Sequence, residues 1–375
     1  MSKVLELVQP TLEAAALRGI FSLPRPVRRL LAGRPIRLDD QELALDAQLL
    51  LKLQRLSGQE QLAAATPELA RAGMRRSTKI TSTSAVPGVV VADRSIPTEA
   101  GELAARLYRP RQLTEAGPLL VFFHGGGWVI GNLDSHDDLC RFLAKHAGIR
   151  VLSVDYRLAP EFPFPAALDD CIAAYRYAVD NAAKLGTSSE LIAVGGDSAG
   201  GNLATSVALH ATRSGLVKPV FQLLIYPAVD ATTRRRSREL FGKGFLLTDG
   251  DMKWFMDHYA PDLDVRHDPR LSVLLAEDLS GLPTAHVVTA GFDPLRDEAE
   301  AYAQRLADAG VPVIARRFPD LIHGFANLRP IGGRSRRRCS RSSAPSAPPC
   351  RCRRPDPLTS GFRHGCLGNG RPRVR

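Results

Sequence analysis

The sequence predicts an α/β fold with a mostly parallel central sheet flanked by helices. Three observations predict it. Apolar runs alternate with helical patterns from about Val121 to Phe318, as βαβ units require. The run Leu191-Ile192-Ala193-Val194 passes through Gly195-Gly196-Asp197-Ser198-Ala199-Gly200-Gly201-Asn202 into the amphipathic stretch Leu203–Leu209, reading as strand, sharp turn and helix. A second apolar run, Leu119–Phe123, leads straight into His124-Gly125-Gly126-Gly127-Trp128.

Size and composition agree with such a fold. A chain of 375 residues can bury a substantial core, and 44% hydrophobic with 24% charged residues is the balance of a soluble globular protein. It contains no run of about 18 apolar residues that would span a membrane. Lys3, Glu6 and Glu13 stand where a secretion signal needs an apolar centre. Of six cysteines only Cys140 and Cys171 lie in the body, which is no disulfide framework and fits a reducing, cytoplasmic setting.

Taken in order, residues 1–80 are helical in character. Leu45, Leu49, Leu53 and Leu56 fall on one helix face, and the segment from Pro24 to Arg37 is basic and broken by prolines. Weak association of this basic, leucine-rich segment with a membrane surface is one reading. At the glycine loop, chemistry through a tetrahedral oxyanion would use backbone N–H donors, and glycines allow the close approach that this needs. A flexible turn would look the same. The G-x-S-x-G of Gly196, Ser198 and Gly200 forces its serine into a strained turn at a helix N-terminus, where unpaired N–H groups favour negative charge.

The blocks His124–Gly127, Asp155–Glu161 with Pro163–Ala167, Gly196–Gly201, Gly291–Asp297 and His323-Gly324-Phe325 occur in one order. With them the chain resembles the hormone-sensitive-lipase-like esterases (bacterial family IV) of the α/β-hydrolase fold, over about residues 40–333. The fold presents its catalytic groups in the order serine, acid, histidine. After Ser198, the run Ala285–Phe292 reads as a buried strand ending in Asp293; Asp297 is the rival acid, with a capping or salt-bridge role as its alternative. Of nine histidines the order leaves His323, beyond the β-type run Val313–Phe318, and His364, in a low-complexity tail. The resemblance implies that the N-terminal segment joins an insertion at about 230–260 to form a helical cap on a catalytic domain of residues 81–333.

These residues lead to an expected serine carboxylesterase for short- to medium-chain acyl esters. Ser198 is the nucleophile, His323 the base and Asp293 its orienting acid, with the N–H groups of Gly125, Gly126 and Ala199 as oxyanion hole. His124 and Gly127 shape the loop, Asp197 stabilises the turn, and Glu161 pairs with backbone or Arg157 to hold the neighbouring loops. Trp128, Phe245 and Trp254 are candidate walls of an acyl pocket, though helix packing explains them equally. No cofactor or metal is expected: there is no H-E-x-x-H or paired C-x-x-C, and Cys350-x-Cys352 is too close-set for zinc. The alternatives are an amidase or deacetylase with the same triad, and a non-catalytic receptor of the same fold, which the presence of His323 disfavours. The molecule would work as a monomer or homodimer.

Residues 334–375 differ from everything before them. They hold twelve arginines, no lysine and one acid, so their net charge of +11 equals that of the whole chain and residues 1–333 balance to zero. Arg, Pro, Ser, Cys and Gly offer too few large apolar side chains to fold alone. A basic arm for nucleic acid is one reading, but no nucleic-acid partner is expected. The fold calls for a terminal amphipathic helix here, and abrupt loss of periodicity with arginine excess is the mark of G+C-rich DNA read out of frame.

Overall fold

The computed structural model of the protein describes residues 2–58, 62–63, 66–81 and 86–328. The expectations for His364 and for residues 334–375 lie outside the described residues. The N-terminal segment forms helices α1 (Ser2–Ser22), α2 (Arg25–Ala32), α3 (Leu45–Leu56) and α4 (Pro67–Thr81). A short antiparallel ribbon, β1 (Arg37–Leu38) and β2 (Gln41–Glu42), separates α2 from α3. In α3, Leu45 and Leu49 are buried against Ala32, while Leu56, expected on the same apolar face, is exposed. Leu56 is the last residue of the helix, with Ser57 as its cap.

One sheet carries the remaining strands: β3 (Val89–Thr98), β4 (Gly101–Pro110), β5 (Leu119–Phe123), β6 (Arg150–Val154), β7 (Ile192–Asp197), β8 (Phe221–Ile225), β9 (Thr284–Phe292) and β10 (Val313–Ile322). Their order is β10-β9-β8-β7-β5-β6-β4-β3. Six strands run parallel; β3 and β4 form an antiparallel hairpin at one edge. That hairpin escapes the reading by apolar runs because Asp93-Arg94-Ser95 in β3 and Glu102 and Arg106 in β4 interrupt its apolar residues.

Helices α5 (Asp137–Ala147), α6 (Ala166–Asp180), α7 (Ala199–Ser214), α8 (Arg236–Phe241), α9 (Asp249–Tyr259) and α10 (Arg296–Asp308) connect and cover these strands. Because strand side chains alternate, Leu119, Val121 and Phe123 join one core with α6, α7 and α10, while Leu120 and Phe122 join another with α5. Covering both faces is what allows strands such as β5 and β6 to be apolar throughout. Helix α7 departs from expectation. Its first ten residues are buried all round rather than along one stripe, because the loop at Leu271 covers its outer side, with Asn202 Nδ2 donating to the Leu271 carbonyl at 2.6 Å.

The first and last parts of the chain are latched together. Ala44 N–H donates to the Asp320 carbonyl (2.8 Å), Asp39 is ion-paired with Arg296 (2.7 Å), and Leu43 and Leu51 pack with Phe241, Phe292 and Ile322. The N-terminal segment also meets the 230–260 region directly. Ala63 N–H donates to Asp251 (2.7 Å), the residue that completes a capping box with Thr248 at the start of α9.

Candidate active site

Strand β7 ends at Asp197 and α7 begins at Ala199, leaving Ser198 alone between them with φ +56°. That left-handed conformation costs energy for a residue with a Cβ and persists because the surroundings dictate it. Ser198 N–H donates to the Ile225 carbonyl (2.9 Å), and its own carbonyl accepts from Asn202 and Ala228. There is no room for side chains beside it: a methyl group on Gly200 would collide with the Phe123 carbonyl, and one on Gly196 with the Gly200 backbone.

The C-terminal ends of β9 and β10 bring two further groups to this turn. Ser198 Oγ lies 3.0 Å from His323 Nε2, and His323 Nδ1 lies 2.8 Å from Asp293 Oδ2. The other Asp293 oxygen accepts from Leu295 N–H (2.8 Å), and the carboxylate is fully buried. A carboxylate facing Nδ1 holds the proton there and leaves Nε2 as an acceptor for the serine hydroxyl. The Tyr226 ring packs on His323 with centroids 4.6 Å apart. The rival Asp297 takes its structural alternative: it accepts from Ser237 N–H (2.7 Å) at the start of α8 and pairs with Arg296.

The glycine loop passes beside Ser198. Gly126 and Gly127 have φ of +126° and +57°, and a side chain on Gly127 would strike the Phe255 ring. Gly125 requires a correction. Its N–H donates to Asp197 Oδ1 at 2.9 Å, so the amide is committed to that carboxylate rather than offered to an oxyanion. The amides of Gly126 and Gly127 have no such partner among the described residues.

Asp197 is buried beneath this loop. Besides Gly125 it accepts from Asn327 Nδ2 (3.0 Å) and Tyr226 Oη (3.3 Å), and it faces His136 Nε2 at 3.1 Å. Burial pushes its carboxyl up, but His136 and the Gly125 amide outweigh burial and hold it below the usual carboxylate range. Sequence reasoning missed His136 and Tyr226, which share no motif with the serine. His124 is fully buried, and burial followed by repulsion from His136 lowers it to about 3, so it is neutral. Its ring stacks on Tyr156 at 4.3 Å, whose hydroxyl donates to the His124 carbonyl (2.7 Å), anchoring the loop.

Ser198 and His323 open onto a cavity of about 530 Å³. Its roof comes from both cap segments: Leu50 and Gln54 of α3, Met74 of α4, and Met252, Phe255 and Met256 of α9. Trp128 lines the cavity and also stacks on Tyr259 with rings 4.6 Å apart. Phe245 and Trp254 do not line it. Phe245 packs with Phe241 and Phe292 against the N-terminal segment, and Trp254 lies on the other side of α9, against Phe255 and His258. Glu298, also unanticipated, lines the cavity although it is 4% exposed. One of its oxygens accepts from Val229 N–H (2.8 Å) and Asp230 N–H (3.3 Å), and burial pushes its carboxyl up to about 8.

Glu161 pairs with Arg71 of α4 (2.6 and 2.7 Å), not with Arg157, which forks onto Asp170 instead. Arg71 in turn donates to the carbonyls of Val129 (2.9 Å) and Ala159 (2.8 Å). Glu161 thus acts on the loop beyond the glycines through a cap helix. Among the described residues, no cluster of three or more His, Cys, Asp or Glu could hold a metal ion. Nor is any described helix long and apolar enough to cross a membrane.

Comparison with known proteins agrees with this fold. The Abhydrolase_3 family model, an alpha/beta hydrolase fold, matches residues 120–327. The carboxylic ester hydrolase LipN of Mycobacterium tuberculosis is 47% identical over 340 residues, covering 88% of this chain and 89% of that protein. Among solved structures, an ester hydrolase from the metagenome of Lake Arreo is 39% identical with a TM-score of 0.77, covering 80% of this chain and 97% of that one. A thermostable esterase from Pseudomonas putida is 34% identical, with a TM-score of 0.77 over 80% of this chain and 95% of that one.

Proposed function

The chain belongs to the Abhydrolase_3 family of alpha/beta hydrolases and is a carboxylic ester hydrolase of the hormone-sensitive-lipase-like kind, and on that premise we propose that it cleaves short- to medium-chain acyl esters through Ser198, His323 and Asp293. The hydrogen-bond chain from Ser198 Oγ through His323 to Asp293 carries the reading. His323 Nε2 takes the serine proton as Oγ attacks the acyl carbon, and Asp293 holds the imidazole in the required tautomer and stabilises its cation. The developing O⁻ is received by the N–H groups of Gly126 and Ala199. Gly127 takes the place first given to Gly125, whose amide is occupied. Each donor of this kind is worth about 2.7–4 kcal/mol in the transition state. His323 then protonates the leaving alkoxide and activates a water that clears the acyl-enzyme.

Two features support the choice of small acyl groups: the cavity is limited in volume, and cap residues roof it. The test is Ser198→Ala. It should lose ester hydrolysis by at least 10⁴-fold while melting as the parent does, and a serine-directed organophosphonate should label the parent alone. Turnover near that of the parent would refute the assignment.

A further inference from the structure

We propose that α2 is a docking element for an anionic lipid surface, with Val27, Leu30 and Leu31 entering the lipid interface and Arg25 and Arg34 flanking them over the headgroups. The inference does not depend on the reaction assigned above. Helix α2 is built inside out. Its arginines turn toward the protein: Arg28 is ion-paired with Asp46 of α3, and Arg29 donates to Gln48 at 3.2 Å. Its large apolar side chains turn away. Leu30 is 81% exposed, Leu31 41% and Val27 40%, and Ala32 is the only residue of the helix that is buried. Their spacing of i, i+3 and i+4 puts all three on one face, an apolar stripe where a surface helix of a globular protein normally shows polar residues.

Charge identifies the occupant. Of the six arginines of residues 14–38, Arg28, Arg29 and Arg37 pair with Asp46 and Glu42, while Arg25 and Arg34 are exposed on either side of the stripe. Residues 1–81 carry 13 Lys and Arg against 8 Asp and Glu, a net +5, so residues 82–333 carry −5. An apolar stripe framed by arginine matches a leaflet rich in anionic headgroups, where burial and attraction act together. A second copy meeting this face with its own α2 would instead bring like charge against like charge. Helix α3 links the two regions: Asp46 and Gln48 hold α2, and Leu50 and Gln54 line the cavity. Esters partitioned into such a surface would be the substrates that gain from docking.

The test uses the full chain, and its readout must be local, because the twelve arginines of residues 334–375 attract anionic vesicles in every variant. In Leu30→Trp, with the parent spectrum subtracted, phosphatidylglycerol vesicles should shift the emission to the blue and brominated acyl chains should quench it. Phosphatidylcholine vesicles should do neither. Vesicle binding without blue shift or quenching would overturn the proposal, as would quenching left undiminished when Val27→Asp and Leu31→Asp are added to Leu30→Trp. The double variant Leu30→Asp/Leu31→Asp should hydrolyse soluble p-nitrophenyl butyrate at the parent rate, since α2 lies outside the catalytic machinery. Dissociation of a parent dimer by that variant in size-exclusion chromatography would also overturn it and make the face a self-interface.

Discussion

Burial beside the cavity pushes the Glu298 carboxyl up to about 8 in the folded protein, against the ordinary 4.5 of a glutamate exposed to water. Between those values the folded state holds more protons than the unfolded chain, so stability falls as pH rises from about 4.5 toward 8. Each unit of difference is worth about 1.4 kcal/mol. Glu298→Gln keeps an acceptor for the Val229 and Asp230 amides and removes the titration. Its denaturant midpoint should therefore decline less than the parent's across that window, and parallel declines would exclude Glu298 as the source. This residue, like His136 and Tyr226, was invisible in the sequence. Ser198, Asp293 and His323 could be read because each follows an apolar run at a strand end, in an order that the fold prescribes. Glu298, by contrast, sits in a charged helix, Arg296-Asp297-Glu298, where a carboxylate on the solvated face is the ordinary expectation. Only the packing of α10 beneath the Val229–Asp230 turn reveals otherwise.

Among the elements, α4 does more than its sequence suggests. Arg71 ties it to the carbonyls of Val129 and Ala159, and Ala159 N–H in turn donates to the carbonyl of Trp128, next to the glycine loop. Arg71→Ala should lower stability by about 1–3 kcal/mol, since two part-buried carbonyls lose a charged donor. It should also cut kcat/KM roughly 10-fold by loosening that loop. Glu161→Ala should cost less, about 0–1 kcal/mol, because the glutamate is half-exposed and its pair with Arg71 is screened. Equal losses from the two variants would show that the ion pair, not the carbonyl tether, holds the loop. Elements with strong period-2 or apolar character were legible from sequence alone: β5, β7 and β9 stand where the apolar runs placed them. The charged β3–β4 hairpin was not, and α7 looked amphipathic because Thr205 and Ser206 are polar, although both are buried and hydrogen-bonded to backbone carbonyls.

On the scale of the whole molecule, roofing the cavity with α3, α4 and α9 sets a limit on substrate length. A series of p-nitrophenyl esters from about C2 to C16 should give the highest kcat/KM at about C4 to C8, since longer chains must extend beyond the cavity or displace the roof. A maximum at C16 would contradict the reading. The same roof depends on contacts spanning nearly the full sequence. The cap is latched by Ala44 onto Asp320 and by Asp39 onto Arg296. Ribosomes add roughly 5–20 residues per second, so the roughly 280 residues between Ala44 and Asp320 take roughly 15–55 s to appear. Until that interval closes, the segment that emerges first lacks the Asp320 carbonyl and Ile322, and it gains Phe241, Phe292 and Arg296 only one after another. The cap is therefore seated late and in stages: a nascent chain stopped before Phe241 offers Leu43 and Leu51 none of these partners, and one stopped before Asp320 still lacks the carbonyl that holds Ala44.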